Sequence, residues 1–349
     1  MNIYDSKTYI DDLKTAILHS IGIKELRKKS ILITGATGTI GSFIADMLAQ
    51  YNKENGAEIK LYVAGRNLDK LKERYNVYED AMIVPIQYDV TLPIEFDFDM
   101  DYIIHAAGNA HPAAFNGNPV ETIIGNVIGT YNLLEYAREH GVKRLLYVSS
   151  GEVYGQGNLE LDEFDETYAG YIDILSTRSC YPSSKRATEN LCVSYYKQYG
   201  TETVIVRPCH TYGPVITASD NRANAQFIRN ALNNEDIVMK SAGKQLRSYN
   251  YVSDCASAIL TVLVNGVSGE AYNIANPKIR ISISELADII AKTVGTKVVY
   301  MNPNEKELAD RTPISKQVLS SRKISELGWE EAYTIERGID NTIKILQGK

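Results

Sequence analysis

The sequence predicts an α/β fold: a doubly wound parallel sheet followed by a smaller α/β lobe. Three observations predict it. Short apolar runs alternate with helical patterns over residues 29–214. Those runs are apolar on both faces, as strands covered by helices on both sides must be. The first run passes into its helix through a glycine-rich turn, "TGATGTIG".

Taken in order, residues 6–28 read as one or two short helices, within an N-terminal extension over 1–28. Ile31–Thr34 is the first strand, and its helix starts at about Thr39. "AEIKLYVAGRN" is the second strand and "NLDKLKERY" its helix; "AMIVPIQYDV" is the third. "DYIIHAAG" is the fourth, followed by the helix of "PVETIIGNVIGTYNLLEYAREHG". "KRLLYVSSGEVYG" holds the fifth, a helix covers Tyr181–Gly200, and "TETVIVRPCHTYGP" is the sixth. After Pro214 the alternation loosens. "DNRANAQFIRNALNNE" reads as a helix, and "GKQLRSYNYVSD" and "EAYNIANP" as short strands. "SISELADIIAKTVG" is a helix opened by a capping box, Ser282 with Glu285. Residues 215–349 are expected to form a lobe over one edge of the sheet.

Composition narrows the function. The chain has 349 residues, 44% hydrophobic and 23% charged, enough for a large core. Its formal charge is -6 and no Lys/Arg run marks a nucleic-acid footprint, so local geometry must hold any bound phosphate. Cys180, Cys192, Cys209 and Cys255 lack C-x-x-C spacing, which argues against a metal site and for reduced thiols in a cytoplasm. The start "MNIYDSKTYIDDLKTAILHSIG" has no basic segment leading into an apolar core, so a signal peptide is not expected. No apolar run reaches bilayer length, and no membrane partner is expected.

The glycine turn carries the first chemistry. Gly35, Gly38 and Gly41 stand at Gly-x-x-Gly-x-x-Gly spacing where strand hands over to helix. There, backbone N–H groups and the helix N-terminus favour the pyrophosphate of a dinucleotide. Asp89 after the third strand can accept from an adenine amino group, with a plain turn role as the alternative. His105–Gly108 closes the fourth strand at the switch-point crevice. The second strand ends at Arg66 with no acid at its tip, which points to the 2′-phosphate of NADP. An exposed arginine stacked on adenine would serve NAD or NADP equally. Finally, "RSCYPSSKRATENL" puts Tyr181 and Lys185 one helical turn apart on one face, either a catalytic pair or an ordinary amphipathic helix.

"TGATGTIG", "HAAG", "NVIGTYNLLEYA", "VSSGEVYG", "YPSSK", "RPCHTYGP" and "GKQLRSYNYVSD" occur in this order. On them the chain resembles the extended short-chain dehydrogenase/reductases of the NAD-dependent epimerase/dehydratase family, over about residues 29–345. These act on nucleotide sugars. The resemblance implies a Rossmann domain, 29–214, holding NAD or NADP tightly, and a C-terminal lobe, 215–349, for a nucleoside-diphosphate sugar. It gives cofactor contacts to Gly35, Thr37, Gly38, Thr39, Ile40, Gly41, Arg66, Asp89, Val90, Ala106, Ala107, Gly108, Asn126 and Pro208. Tyr181 becomes the catalytic base. Lys185 becomes its partner and a holder of the nicotinamide ribose, and Ser150 bonds the same sugar hydroxyl. A cationic amine near the phenol, with a positive nicotinamide, would favour phenolate.

"SSGEVYG" separates the members. The family's 4,6-dehydratases carry Thr-Asp-Glu where this chain has Ser150, Gly151 and Glu152. Simple 4-epimerases usually lack the glutamate. UDP-glucuronate decarboxylases, with Thr-Ser-Glu, match best, and "RSCYPSSKR" is close to their tyrosine motif. "DRTP", with Arg311, falls near their Arg-x-Pro segment. The implied chemistry is redox-neutral: oxidation at C4, loss of carbon dioxide, and re-reduction to a UDP-pentose. Glu152 would position the ring or assist decarboxylation; its alternative is a buried glutamate bonded to backbone. Arg247 matches a diphosphate-binding arginine. Arg222 and Gln226 would line the nucleotide end, or else lie on an exposed helix face. His111 and His210 depart from the family's substrate loops, and Val215 stands where an arginine is usual. These departures keep an NADP-dependent 4-epimerase or 4-ketoreductase open. A non-catalytic binding protein is a third reading, against which the intact Ser150, Tyr181 and Lys185 argue. The resemblance also implies a homodimer paired through the Tyr181 helix and the helix before the fifth strand.

Overall fold

A computed structural model of the chain describes residues 3–78, 82–217, 220–304 and 314–349. Six strands form as the sequence predicts, with helices between all but the third and fourth: β1 (Ser30–Thr34), β2 (Lys60–Gly65), β3 (Ile83–Gln87), β4 (Tyr102–His105), β5 (Arg144–Val148) and β6 (Thr203–Pro208). They form one parallel sheet in the order β6-β5-β4-β1-β2-β3, extended at the β6 edge by a seventh strand, β10 (Ala271–Ile274). That strand comes from the C-terminal stretch. The sheet is therefore finished by chain that returns after a long excursion. At the opposite edge Pro85 sits in β3, the place in a sheet that tolerates a missing N–H.

The helices on the sheet are α2 (Thr39–Asn55), α3 (Leu68–Tyr75), α5 (Pro119–Glu139), α6 (Cys180–Tyr199) and α8 (Val252–Asn265), with α1 (Lys7–His19) against α2 and α8 and the short α4 (Pro112–Gly117) before α5. Their ends follow local chemistry. Ser6 caps α1 by accepting from Tyr9 N, and Gly56, at φ +53°, ends α2 in the left-handed region. Two apolar layers result, one on each face of the sheet, built from residues such as Ile31, Ile33, Phe43 and Leu260 on one side and Leu32, Ile103, Leu134 and Leu145 on the other.

The expected sixth strand is shorter than the sequence implies. β6 ends at Pro208, Cys209 N donates to Ile274 O, and the chain turns away. His210–Tyr212 becomes β7, which pairs with β9 (Leu246–Tyr251) in a second sheet. That sheet also holds β11 (Arg280–Ser282) and β13 (Lys316–Gln317). A third, two-stranded sheet joins β8 (Ile237–Met239) to β12 (Val298–Tyr300). Around these lie α7 (Ala223–Leu232), α9 (Ile283–Val294), α10 (Arg322–Ser325) and α11 (Ile335–Leu346). The capping box at α9 is formed in full: Ser282 Oγ accepts from Glu285 N, and the Glu285 carboxylate accepts from Ser282 N.

The N-terminal extension is fastened by two buried carboxylates. Asp46 of α2 accepts from Tyr4, Tyr9, Tyr78 and Arg74. Asp12 of α1 accepts from Tyr251, Tyr333 and Asn341. Burial pushes both carboxyls up, and the donors pull them back. The extension therefore bridges the glycine-turn helix to the second sheet.

Candidate active site

The connections of β1 and β4 run to opposite sides of the sheet, and a cleft opens at that switch point. Its volume is about 1010 Å³, counting the space open to solvent. The glycine turn forms one wall. Gly35 has φ +69°, and a Cβ there would lie 2.8 Å from the backbone of Ala106 and Ala107. A Cβ on Gly41 would meet Gly35 O at 2.5 Å. Glycine at both positions lets the turn press against the end of β4 and leaves the N-terminus of α2 facing the cleft. Thr39 fixes the far side by donating to Val215 O at 2.7 Å.

Gly35, Gly38, Thr39, Ile40, Gly41, Ala106, Gly108 and Pro208 all line this cleft. Thr37 is exposed at the tip of the turn, and Ala107 donates its N–H to Thr34 Oγ1. Asn126 donates to Ser184 Oγ at 2.9 Å and keeps its carbonyl oxygen buried without a partner, 3.2 Å from where a Cβ on Gly108 would stand. Ser149 Oγ in the cleft wall is likewise buried and unpartnered. A crowded glycine cradle at a helix N-terminus, with orphaned polar atoms beyond it, fits a dinucleotide. Arg66 and Asp89 lie together outside this cleft, past the ends of β2 and β3. Arg66 is exposed, and Asp89 accepts from Thr91 N and Thr91 Oγ1, closing a turn. Val90 packs where Gly129 leaves room for it.

The side chains that the sequence marks as candidate catalytic groups come from the turn after β5 and from α6. Ser150 follows β5 and starts a 3-10 turn over Gly151–Tyr154 by accepting from Glu152 N. Arg186 of α6 pins that turn by donating to Val153 O at 2.6 Å. Tyr181 and Lys185 line the cleft opposite, with the Lys185 amine 5.7 Å from the centre of the Tyr181 ring. Lys185 donates to Val148 O at 2.9 Å, and burial lowers its amine to about 7. The Tyr181 phenol is pushed up to about 12. Burial is the largest cause and the Glu152 charge adds to it, while Ser150, Arg222 and Arg178 pull it down. In the protein alone, then, burial outweighs the cations that would favour phenolate. The Tyr181 ring stacks on Phe115 at 5.1 Å, and the Arg178 guanidinium covers the same Phe115 ring at 4.4 Å. Arg178 also donates to Glu152 Oε1 at 2.9 Å, leaving Glu152 Oε2 buried and unpartnered.

The expected substrate residues separate into groups. His210 lines the cleft from β7, and its Nδ1 is buried without a partner. Burial, with Arg247 and Arg222 adding, lowers its ring to about 3, so it is neutral. Arg222 lines the cleft and forms a two-pronged pair with Asp220, whose carboxyl it holds down against burial. His111 lies within reach of that pair, and burial lowers it. Arg247 is buried behind β9, donating to Leu246 O at 2.9 Å and Ile314 O at 2.5 Å, and does not line the cleft. Gln226 stands on the exposed side of α7. Arg311 lies outside the described residues. Gln317 enters the cleft unforeseen, because a two-residue strand has no periodicity to read. Phe115 and Asp220 also take unforeseen places; only the Arg178 motif carried a signal, in its position before the tyrosine.

The model of the NAD dependent epimerase/dehydratase family matches residues 31–275. UDP-glucuronic acid decarboxylase 1 of Xenopus tropicalis is 32% identical over 327 residues, which span 92% of this chain and 73% of that one. UDP-glucuronic acid decarboxylase 6 of Arabidopsis thaliana is 34% identical over 313 residues, 88% of this chain and 86% of that one. The fold is also that of dTDP-glucose 4,6-dehydratase from Streptomyces venezuelae, solved with NAD bound. The TM-score is 0.78 at 22% identity, covering 91% of this chain and 97% of that one.

Proposed function

The chain belongs to the NAD dependent epimerase/dehydratase family, and from that premise we propose that it converts UDP-glucuronate to a UDP-pentose without net oxidation. It is a nicotinamide-dependent nucleotide-sugar enzyme of that family; the sugar, the fate of C4 and the choice of dinucleotide are the proposal. One observation carries it. Ser150, Tyr181 and Glu152 line one cleft, and Gly151 between the serine and the glutamate supplies no second carboxyl to protonate a leaving hydroxyl.

When bound, the dinucleotide supplies reversible hydride exchange with the sugar C4. Tyr181 takes the C4 hydroxyl proton and later returns it, Ser150 holds the same oxygen, and Lys185, one helical turn on, would hold the nicotinamide ribose. With C4 a ketone, the carboxylate on C5 is β to it. The bond from C5 to the carboxyl carbon breaks, carbon dioxide leaves, and the electron pair remains as an enolate that takes a proton at C5. Glu152, with one oxygen tied to Arg178 and the other buried without a partner in the cleft wall, orients the ring for that step.

A second reading, a nucleotide-sugar 4-epimerase or 4-ketoreductase, is favoured by the cations. Among the described residues lining the cleft, Lys185 and Arg222 already bond the Val148 carbonyl and the Asp220 carboxylate. A uronate would have to compete for them. The same proposal includes NADP over NAD through Arg66, a cytoplasmic place of action, a sugar-nucleotide lobe over 215–349 and a homodimer.

The test is to denature the purified protein, identify the released dinucleotide by mass spectrometry, and incubate intact protein with UDP-glucuronate alone. Carbon dioxide and a UDP-pentose are expected, and Tyr181→Phe should keep its dinucleotide and lose turnover. An empty protein, active only on NADPH and a 4-keto sugar, would replace the decarboxylase with a reductase.

A further inference from the structure

We propose that Gln317 is a substrate-positioning residue: its carboxamide donates to a hydroxyl of the bound sugar, from the space that Gly151 leaves open. This rests on the nucleotide-sugar reading above. Gln317 is the second residue of β13 and lies in register with Arg247 of β9, so the backbone ladder places it. It is 3% exposed, lines the cleft, and its amide nitrogen has no partner in the protein. A buried amide without a hydrogen bond is costly, and a ligand hydroxyl would satisfy it.

Gly151 explains how the amide reaches the cleft. A Cβ at 151 would stand 3.5 Å from both the Gln317 amide nitrogen and its carbonyl carbon, and 3.1 Å from Leu319 Cδ1. Any longer side chain there would occupy the room that Gln317 uses. The unpartnered Oε2 of Glu152, the residue after Gly151 and also a cleft-lining one, is an acceptor. A hydroxyl can accept from the amide while donating to a carboxylate. A carboxamide orients a hydroxyl but has no acidic proton to deliver, so the hydroxyl it holds is kept on the sugar. His210, neutral and with Nδ1 unpartnered, adds a second uncharged contact on that wall.

The test measures UDP and UDP-glucuronate binding by calorimetry, together with KM, kcat and released dinucleotide, in wild type, Gln317→Leu and Gln317→Asn. Expected is a loss of about tenfold in sugar-nucleotide affinity and a matching rise in KM. Affinity for UDP and the dinucleotide content should stay unchanged. Asparagine keeps the chemistry but not the reach, so it decides the matter if the leucine variant does not fold. Parallel loss of UDP and UDP-glucuronate binding would mark Gln317 as structural support for the cleft as a whole and overturn the proposal. Unchanged sugar-nucleotide affinity in both variants would overturn it too, with the decarboxylase reading intact. A wild-type protein that binds UDP but gains nothing from the sugar would overturn the nucleotide-sugar reading itself, and leave Gln317 no hydroxyl to hold.

Discussion

Glu152 and Arg178 form a 2.9 Å ion pair beside the Tyr181 phenol, and Arg178 is at once the lid on the ring that stacks against Tyr181. Burial is the largest influence on that phenol; the Glu152 charge pushes it up further, and Ser150, Arg222 and Arg178 pull it down. Arg178→Met removes the lowering charge and leaves the glutamate unpaired. The rising limb of the kcat/KM profile, where the base loses its proton, should move to higher pH, with kcat/KM at neutral pH down roughly tenfold or more. Arg178→Lys should shift it less. A profile that does not move would separate Arg178 from the base.

Lys185 predicts a dependence of stability on pH. Its folded value, about 7, lies below the ordinary 10.5, because burial disfavours the charged amine. Between those values the unfolded chain binds the extra proton, so stability from this group rises with pH. Below 7 both states are protonated and the cost of burying the charge is felt in full. Urea unfolding between pH 7.5 and 8.5 should show wild type gaining on Lys185→Met by up to about 1.4 kcal/mol per pH unit. Parallel curves would mean that the buried amine stays charged.

Asp46 predicts the importance of the N-terminal extension. It is fully buried and accepts from three tyrosines and an arginine, two of the tyrosines belonging to the extension. Asp46→Ala strands the Arg74 charge, and denaturant unfolding should show a loss of about 3–5 kcal/mol. Tyr9→Phe removes one donor to a charged acceptor and should cost about 1.5–3 kcal/mol. A change near zero for Tyr9→Phe would mean that the Tyr9 bond to Asp46 does not help to hold the extension.

Pairing can be tested on α5. Val120, Ile123, Ile124, Ile128 and Tyr131 are exposed along it, beside α6. The proposed homodimer would cover this exposed apolar face. Sedimentation should give a dimer for wild type, and Ile124→Asp with Ile128→Asp should give a monomer. A wild-type monomer would remove the homodimer from the proposal.

Much of this was legible in the sequence because it is locally determined. Apolar runs give β1 to β5, caps such as Ser282 with Glu285 give helix starts, and the glycine spacing gives the cradle. Tyr181 and Lys185 meet because helical geometry obliges them to. What escaped depends on distant partners. "VIVRPCHTY" is one apolar run, yet it divides at Cys209 between two sheets, since Ile274 and Tyr249 lie on different sides. Gln317 acquires its place from β9, 70 residues away in the chain, and the rise of the phenol to about 12 comes from burial that no motif reports.

The position of β10 has a consequence for biosynthesis. Its residues, Ala271–Ile274, pair with β6, so the outer edge of the seven-stranded sheet stays open until that segment has left the ribosome. Until then β6 presents unpaired N–H and C=O groups to any neighbouring chain, the geometry from which strands aggregate. A nascent polypeptide halted near Pro214 would carry its glycine cradle and its tyrosine yet lack its closing strand. Recovery of folded protein from cells should therefore hinge on how fast the following 60 or so residues are translated, a step remote from every catalytic group.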